Sequence, residues 1–279
     1  MDKNKHSLKK IFTEALKYYK TKDLKTAEIF CYKILSINPN HFDSLSLLAN
    51  IFAVSGNFSK SKELLEKAIK IQSENTTILN NLGTAYRELG DIEKAKTFYQ
   101  KVLGINSNHT NANYNLGLIF YGLDELKKAK EYLEKTIKIQ PNYAFAYFSL
   151  GNLQKELKEL KQAKESYLKA IELRPSFASA QNNLGLVFSN IGDPDSAMKC
   201  YKKALEIDPK HAGAYNNLGR LYTETGELEK AIESHKVAIK LEPQNLVHTY
   251  YLSELDKNFL NSEVKNKTEE ILNNKRHIE

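Results

Sequence analysis

The sequence predicts an all-α protein of seven helical hairpins, each 34 residues long, followed by one capping helix. The dipeptide Leu-Gly recurs five times at intervals of 34 residues, with its glycine at positions from Gly83 to Gly219. Twelve residues after this slot stands a small residue, such as Ala95, and twelve residues further stands a proline or serine, such as Pro141. Self-similarity at a fixed period of this size is typical of repeat architectures.

The units follow one another without linkers, because no insertion breaks the register. They are predicted at 8–41, 42–75, 76–109, 110–143, 144–177, 178–211 and 212–245. Residues 1–7 are expected to form an N-terminal extension. Residues 246–260 carry one apolar stripe and are expected to form the capping helix, because a repeat array must cover its apolar end. Residues 261–279 are polar and charged, which favours a tail or a frayed helix.

Each unit is predicted to contain two helices joined by a tight turn. In the third unit, apolar residues recur at helical spacing over 79–89 and again over 92–102, with Gly90 between the two runs. In the sixth unit, Asp193 is suited to the N-cap of the second helix and Pro194 to its first position. The closing prolines end the second helices, because the residue before proline is disfavoured in the α region.

The recurring glycine predicts close packing of the two helices in a hairpin. A glycine inside a helix costs about 1 kcal/mol relative to alanine. Five glycines in register therefore indicate that a Cβ would collide with a neighbour, and the small residue of the second helix is expected to help the helices approach. No ligand is needed to explain this slot.

These residues together resemble the tetratricopeptide repeat (TPR). The resemblance rests on Leu82-Gly83, an aromatic residue three positions later at Tyr86, Ala95 in the second helix and a closing proline, repeated through seven units. The pentatricopeptide RNA-binding repeat has a longer period and lacks this set. Gln154 departs from the pattern, since an aromatic residue is expected there. The resemblance implies a right-handed α-solenoid, or superhelix, whose first helices line a concave groove.

Composition excludes several classes of protein. The net charge is only +7 for 279 residues, and nearly all basic residues are lysines, which favours a soluble surface over a nucleic-acid interface. No apolar run is long enough to cross a membrane, and the N-terminus has no signal-peptide pattern. Two cysteines cannot form a secreted disulfide scaffold. We therefore expect a cytoplasmic protein that binds neither nucleic acid nor membrane.

No catalytic motif is present, so the chain is not expected to be an enzyme or to hold a cofactor or metal. His41, His109 and His211 share one repeat slot, which favours a packing role for a flat ring over metal binding. Cys31 and Cys200 lie in slots expected to be buried, which favours unreactive thiols over nucleophiles.

The candidate binding site is a row of amide and aromatic side chains on the first helices. An asparagine amide can pair with the N–H and C=O groups of an extended peptide. The predicted peptide-binding residues are Asn50, Asn80, Asn81, Tyr114, Asn115, Phe148, Asn152, Asn182, Asn183, Asn216, Asn217 and Arg220. Asn81, Asn115, Asn183 and Asn217 resemble the asparagine ladder in the TPR superhelix of O-GlcNAc transferase, and Ser149 interrupts the row. The alternative is that these amides only bond to neighbouring repeats.

The sequence thus predicts a non-catalytic scaffold that binds an extended segment of another protein along its groove. The alternative function is the substrate-recruiting region of a glycosyltransferase or sulfotransferase whose catalytic domain lies outside these residues. The two-carboxylate clamp that some TPR proteins use for chaperone tails is not expected, because Ser46, Asn111 and Asn115 occupy its cationic slots. Self-association through stacked ends is left open.

Overall fold

The computed structural model describes residues 2–255, with side chains described from residue 7 onward. Within this range the chain forms fifteen α-helices and no strand. The contacts divide it into two compact units, Met1–Gln140 (unit 1) and Pro141–Glu279 (unit 2). The all-α hairpin fold predicted from the period is confirmed.

Unit 1 contains four hairpins. Its helices are α1 (Asp2–Lys20), α2 (Leu24–Ile37), α3 (Phe42–Val54), α4 (Phe58–Ile71), α5 (Thr76–Glu88), α6 (Ile92–Ile105), α7 (Thr110–Gly122) and α8 (Leu126–Ile139). The first helix begins at Asp2 and so includes residues 2–7, which were expected to be an N-terminal extension. No proline or glycine precedes Ser7, and nothing in that segment stops helix propagation.

Unit 2 contains three hairpins and one further helix. Its helices are α9 (Ala144–Glu156), α10 (Leu160–Leu173), α11 (Ala178–Asn190), α12 (Pro194–Ile207), α13 (Ala212–Glu224), α14 (Leu228–Leu241) and α15 (Leu246–Leu255). Helix α15 packs against α14 and occupies the place predicted for the capping helix. The predicted end of that helix, 256–260, and the predicted tail, 261–279, lie outside the described residues.

The repeated glycine lies against the second helix of its own hairpin. A Cβ built on Gly185 would be 2.5 Å from a ring carbon of Tyr201, and one built on Gly83 would be 2.7 Å from a ring carbon of Tyr99. Both rings are buried. The expected close approach is therefore present, but the neighbour is the side chain four residues after the small slot rather than the small residue itself.

The histidines of the shared slot cap the first helices. Nδ1 of His41, His109 and His211 accepts a hydrogen bond from the main-chain N–H three residues later, at 3.1 to 3.2 Å. Asn75 occupies the same slot and accepts an equivalent bond from the N–H of Ile78. Residues at this position thus cap the first helices, a role that was not expected beside the packing of a flat ring.

Both cysteines are free and buried. Burial raises the pKa of the Cys31 thiol to about 12 and that of Cys200 to about 11, with smaller contributions from Glu28 and Asp193 respectively. The thiolate is the reactive form of cysteine, so little of either residue is in that form near neutral pH. This agrees with the prediction of unreactive thiols.

Among residues 2–255, no helix has both the length and the apolar character that a membrane crossing requires.

Candidate functional site: the amide rows of the first helices

The candidate site is the solvent-facing side of the first helices of six hairpins, from the second to the seventh. We call this side the inner face. In unit 1 it is formed by α3, α5 and α7, and in unit 2 by α9, α11 and α13. The six asparagines Asn50, Asn81, Asn115, Asn152, Asn183 and Asn217 are all partly exposed there. The structure thus brings the predicted amides to the surface of each unit.

In unit 1 the amides also connect neighbouring hairpins. Asn81 Nδ2 donates to Asn50 Oδ1 at 3.0 Å, which joins α5 to α3. Arg87 Nη1 donates to Asn115 Oδ1 at 2.8 Å, which joins α5 to α7. The same guanidinium pairs with Glu88 at 2.6 Å, so its charge is compensated locally.

Unit 2 has the same kind of connection. Asn183 Nδ2 donates to Asn152 Oδ1 at 2.8 Å, and Asn217 Nδ2 donates to Asn182 Oδ1 at 2.9 Å. Asn152 Oδ1 also accepts a bond from the Tyr167 hydroxyl at 2.7 Å. Both readings of the row therefore have a structural basis, because the amides brace adjacent repeats and still reach solvent.

The second group of amides is mostly covered. Asn80, Asn182 and Asn216 are buried. Asn182 Nδ2 donates to Asn183 Oδ1 at 3.1 Å, whereas Oδ1 of Asn80 and of Asn216 is buried without a hydrogen-bond partner among the described residues. Asn80 Nδ2 donates to Asn81 Oδ1 at 3.5 Å, so Asn80 and Asn182 each hold the exposed amide beside them.

The other predicted residues lie at separate places on the inner face. Tyr114 on α7 and Phe148 on α9 are partly exposed. The Phe148 ring packs against Phe177 with centroids 4.7 Å apart. Arg220 on α13 is exposed, and its guanidinium lies 5.3 Å from the centre of the Tyr251 ring on α15.

Sequence reasoning missed a pocket beside the first amide pair. It has a volume of about 150 Å³ and is lined by nine residues that include Asn50, Asn81, Ala53, Val54 and Thr84. None of the nine is charged. A signal was present in the sequence, because α3 ends in two aliphatic residues, Ala53 and Val54. The same repeat positions hold Arg87-Glu88 on α5 and Lys155-Glu156 on α9, and no other described first helix has an aliphatic pair there.

Charges on the inner face are few and mostly compensated. Burial lowers the pKa of Lys155, and the neighbouring Glu156 opposes this shift. Among the described residues, no group of three or more His, Cys, Asp or Glu side chains is placed to hold a metal ion. Hydrogen bonding and apolar contact are therefore the main interactions that this surface offers to a ligand.

Models of the tetratricopeptide repeat match most of the array. They cover residues 40–108, 75–142, 144–177, 178–211 and 200–233. The chain belongs to the TPR family. Its recurring glycine, its hairpins and the packing of each first helix on its second are thus the TPR arrangement.

Solved TPR-like structures are similar to this chain. YrrB, described as a TPR protein with an unusual peptide-binding site, is 27% identical, with a TM-score of 0.55 over 68% of this chain and 97% of its own. A MamA structure is 30% identical, with a TM-score of 0.53 over 62% of this chain and 94% of its own. A TPR protein from Parabacteroides merdae ATCC 43184 is 21% identical, with a TM-score of 0.69 over 90% of this chain and 99% of its own, and it shows the fold alone. No curated protein matches the chain.

Proposed function

We propose that this TPR protein is a non-catalytic scaffold that binds an extended segment of another protein on its inner face. The observation that carries the proposal is the pair Asn50 and Asn81. Their mutual bond uses one donor hydrogen of Asn81 and one acceptor site of Asn50, and each amide has two donor hydrogens and an acceptor oxygen with two lone pairs. Hydrogen-bonding groups therefore remain for the main chain of a guest.

Two further findings support the proposal. The inner face has few uncompensated charges, so its contacts with a guest depend on hydrogen bonds and apolar burial rather than on ion pairs. YrrB, a TPR protein similar to this chain, is described as having a peptide-binding site. The alternative function, a substrate-recruiting region of a transferase, stays a prediction, because no contact described above favours it.

A charge placed on the inner face tests the proposal. Peptides selected from a random phage-displayed library on the native protein are measured against V54R. Val54 is 65% exposed on the inner face, and Ile29, on the second helix α2, is 66% exposed and serves as the matched control through I29R. We expect V54R to weaken binding of peptides held by unit 1 by about tenfold or more, because a buried unpaired charge is costly, while I29R leaves it unchanged.

Replacing Asn81, Asn115, Asn183 and Asn217 together by alanine is a second test. It is less direct than V54R, because the same amides connect neighbouring hairpins. Circular dichroism and thermal unfolding accompany it. Selected peptides that bind equally well to V54R, I29R and the fourfold variant would show that the inner face does not bind peptides.

A further inference from the structure

Two equivalent amide pairs of the inner face differ in the number of hydrogen bonds that they already make. Asn50–Asn81 in unit 1 and Asn152–Asn183 in unit 2 occupy the same repeat positions, three repeats apart. In unit 2, Asn152 Oδ1 accepts a second bond from the Tyr167 hydroxyl. In unit 1 the position of Tyr167 is held by Leu65, which has no hydroxyl. Among the described residues, the amide oxygen of Asn50 therefore accepts one hydrogen bond, whereas that of Asn152 accepts two.

The surroundings of the two pairs differ as well. Beside Asn50–Asn81, the residues Ala53, Val54 and Ala85 give the 150 Å³ pocket an apolar wall without charge. At the positions equivalent to Ala53 and Val54, unit 2 has Lys155 and Glu156. The pocket in unit 1 is consequently suited to an uncharged side chain, because a charged one would lose part of its hydration and find no opposite charge in the lining.

The size of the pocket limits the side chain further. An apolar cavity of about 150 Å³ is large enough for a benzene ring. A branched aliphatic side chain is similar in bulk to such a ring, whereas alanine would leave much of the space empty. The amides beside the pocket can hold the main chain of the same guest residue, since an extended chain presents its N–H and C=O groups next to each side chain.

We propose that Asn50, Asn81 and the adjoining pocket form a subsite for one branched aliphatic residue of a bound polypeptide. The amide pair holds the guest main chain, and the pocket walled by Ala53, Val54 and Ala85 takes its side chain. This inference rests on the proposed function and adds to it the class of residue that unit 1 selects. The pair Asn152–Asn183 has no such preference.

Methyl NMR on the full-length protein tests the subsite with a defined probe. The probe is N-acetyl-leucine N-methylamide, which combines one isobutyl side chain with an amide group on either side. We expect it to shift the methyl resonances of Val54 and Ala85 saturably. The lysine and aspartate analogues should bind at least about tenfold more weakly, because burial of a leucine side chain contributes a difference of this order.

A filling variant and its matched control complete the experiment. A53L fills the pocket and should weaken the leucine probe by about tenfold or more, whereas K155L, at the equivalent position of unit 2, should leave its affinity within about twofold. A leucine probe that leaves both resonances unmoved, or a lysine analogue that binds as well as leucine, would overturn the subsite. The comparison of analogues uses the native protein, so it stays decisive if A53L does not fold.

The experiment separates failure of the subsite from failure of the proposed function. Selected peptides that are sensitive to V54R but show no preference for leucine, valine or isoleucine, and bind A53L unchanged, would overturn the subsite and leave the function standing. Absence of any peptide that binds the inner face would overturn the function.

Discussion

At the scale of the residue, one backbone position explains much of the repeat. The glycine of each Leu-Gly pair lies directly under a ring or a leucine of the second helix. A Cβ there would come within 3.0 Å of that side chain in all five repeats that have the pair. Since Tyr99, Tyr167 and Tyr201 are buried, their rings cannot move aside without disturbing the core. The mid-helix glycine, unfavourable for the isolated helix, is thus required by its neighbour.

Replacement of this glycine should destabilise its hairpin. In G185A the new Cβ meets Tyr201 at 2.5 Å, and we expect the free energy of unfolding to fall by about 1 to 3 kcal/mol, as overpacked cores do. The matched control is G104A in α6, where nothing lies within 4 Å of the new Cβ and helix propensity alone should stabilise by up to about 1 kcal/mol. Urea unfolding followed by circular dichroism measures both, and a stabilised G185A would contradict this account.

At the scale of the element, the last hairpin and α15 enclose a histidine. His235 on α14 is fully buried, and both of its ring nitrogens lack a hydrogen-bond partner among the described residues. It lies against Gly219 on α13 and stacks on Tyr251 of α15 with ring centroids 5.6 Å apart. Burial, and then the charges of His248 and Arg220, lower its pKa from 6.5 to about 4.

This histidine should make the C-terminal elements sensitive to acid. Well above pH 6.5 it is neutral whether folded or unfolded, so it has no effect on stability there. Between pH 6.5 and about 4 the unfolded chain binds a proton that the folded chain does not, so stability falls as pH falls, by up to about 3 kcal/mol in total. His235→Tyr should remove this part of the pH dependence. Tyrosine is the residue that three other repeats have at this position.

Hydrogen exchange of the α14 and α15 amides between pH 7 and about 4 measures the effect, after correction for intrinsic exchange rates. The control is H41N, which makes the same kind of change at the cap of α3 and should leave the acid sensitivity of the α14 and α15 amides as it is in the native protein. Equal acid sensitivity in H235Y and in the native protein would rule out His235 as its source.

At the scale of the whole molecule, the excess of basic over acidic residues lies apart from the candidate site. Residues 1–140 have 22 Lys and Arg against 15 Asp and Glu, whereas residues 141–279 have 19 of each. Several of these lysines belong to second helices, where Lys60, Lys94 and Lys128 lie 5.0 to 5.2 Å from the centres of aromatic rings on the preceding first helices. Helices α3, α5 and α7 together carry one basic residue, Arg87, which pairs with Glu88, so the basic excess of unit 1 lies on its other elements.

Binding on the inner face should therefore depend little on salt. We expect the affinity of selected peptides to change by less than about threefold between 50 and 500 mM salt, whereas a contact through phosphate groups would weaken by orders of magnitude over this range. Fluorescence anisotropy with labelled peptides measures this dependence. A steep loss of affinity would indicate that the peptides bind to the lysines of the second helices and not to the inner face.

The helical hairpins were predictable from the repeat period, whereas the period does not state where the first helix begins. The Leu-Gly register marks five of the hairpins, and the first two, which have Glu14-Ala15 and Leu48-Ala49 at this position, follow from the same 34-residue spacing. Residues 1–7 precede the register and were expected to be an N-terminal extension, and α1 begins at Asp2. A repeat pattern indicates where packing recurs, whereas a helix ends only where its backbone meets a turn or a cap.

The sequence by itself determined the helices, their pairing, the family and the nearly neutral inner face, because each follows from residues that recur at one local spacing. Only the tertiary structure decided the partners of the amides. Asn81 bonds to Asn50, 31 residues away, whereas Asn217 bonds to Asn182, 35 residues away, and Asn115 bonds to Arg87 instead of an asparagine. A 34-residue register brings several such groups within reach of one another, and which of them bond depends on small differences in how neighbouring helices and side chains pack.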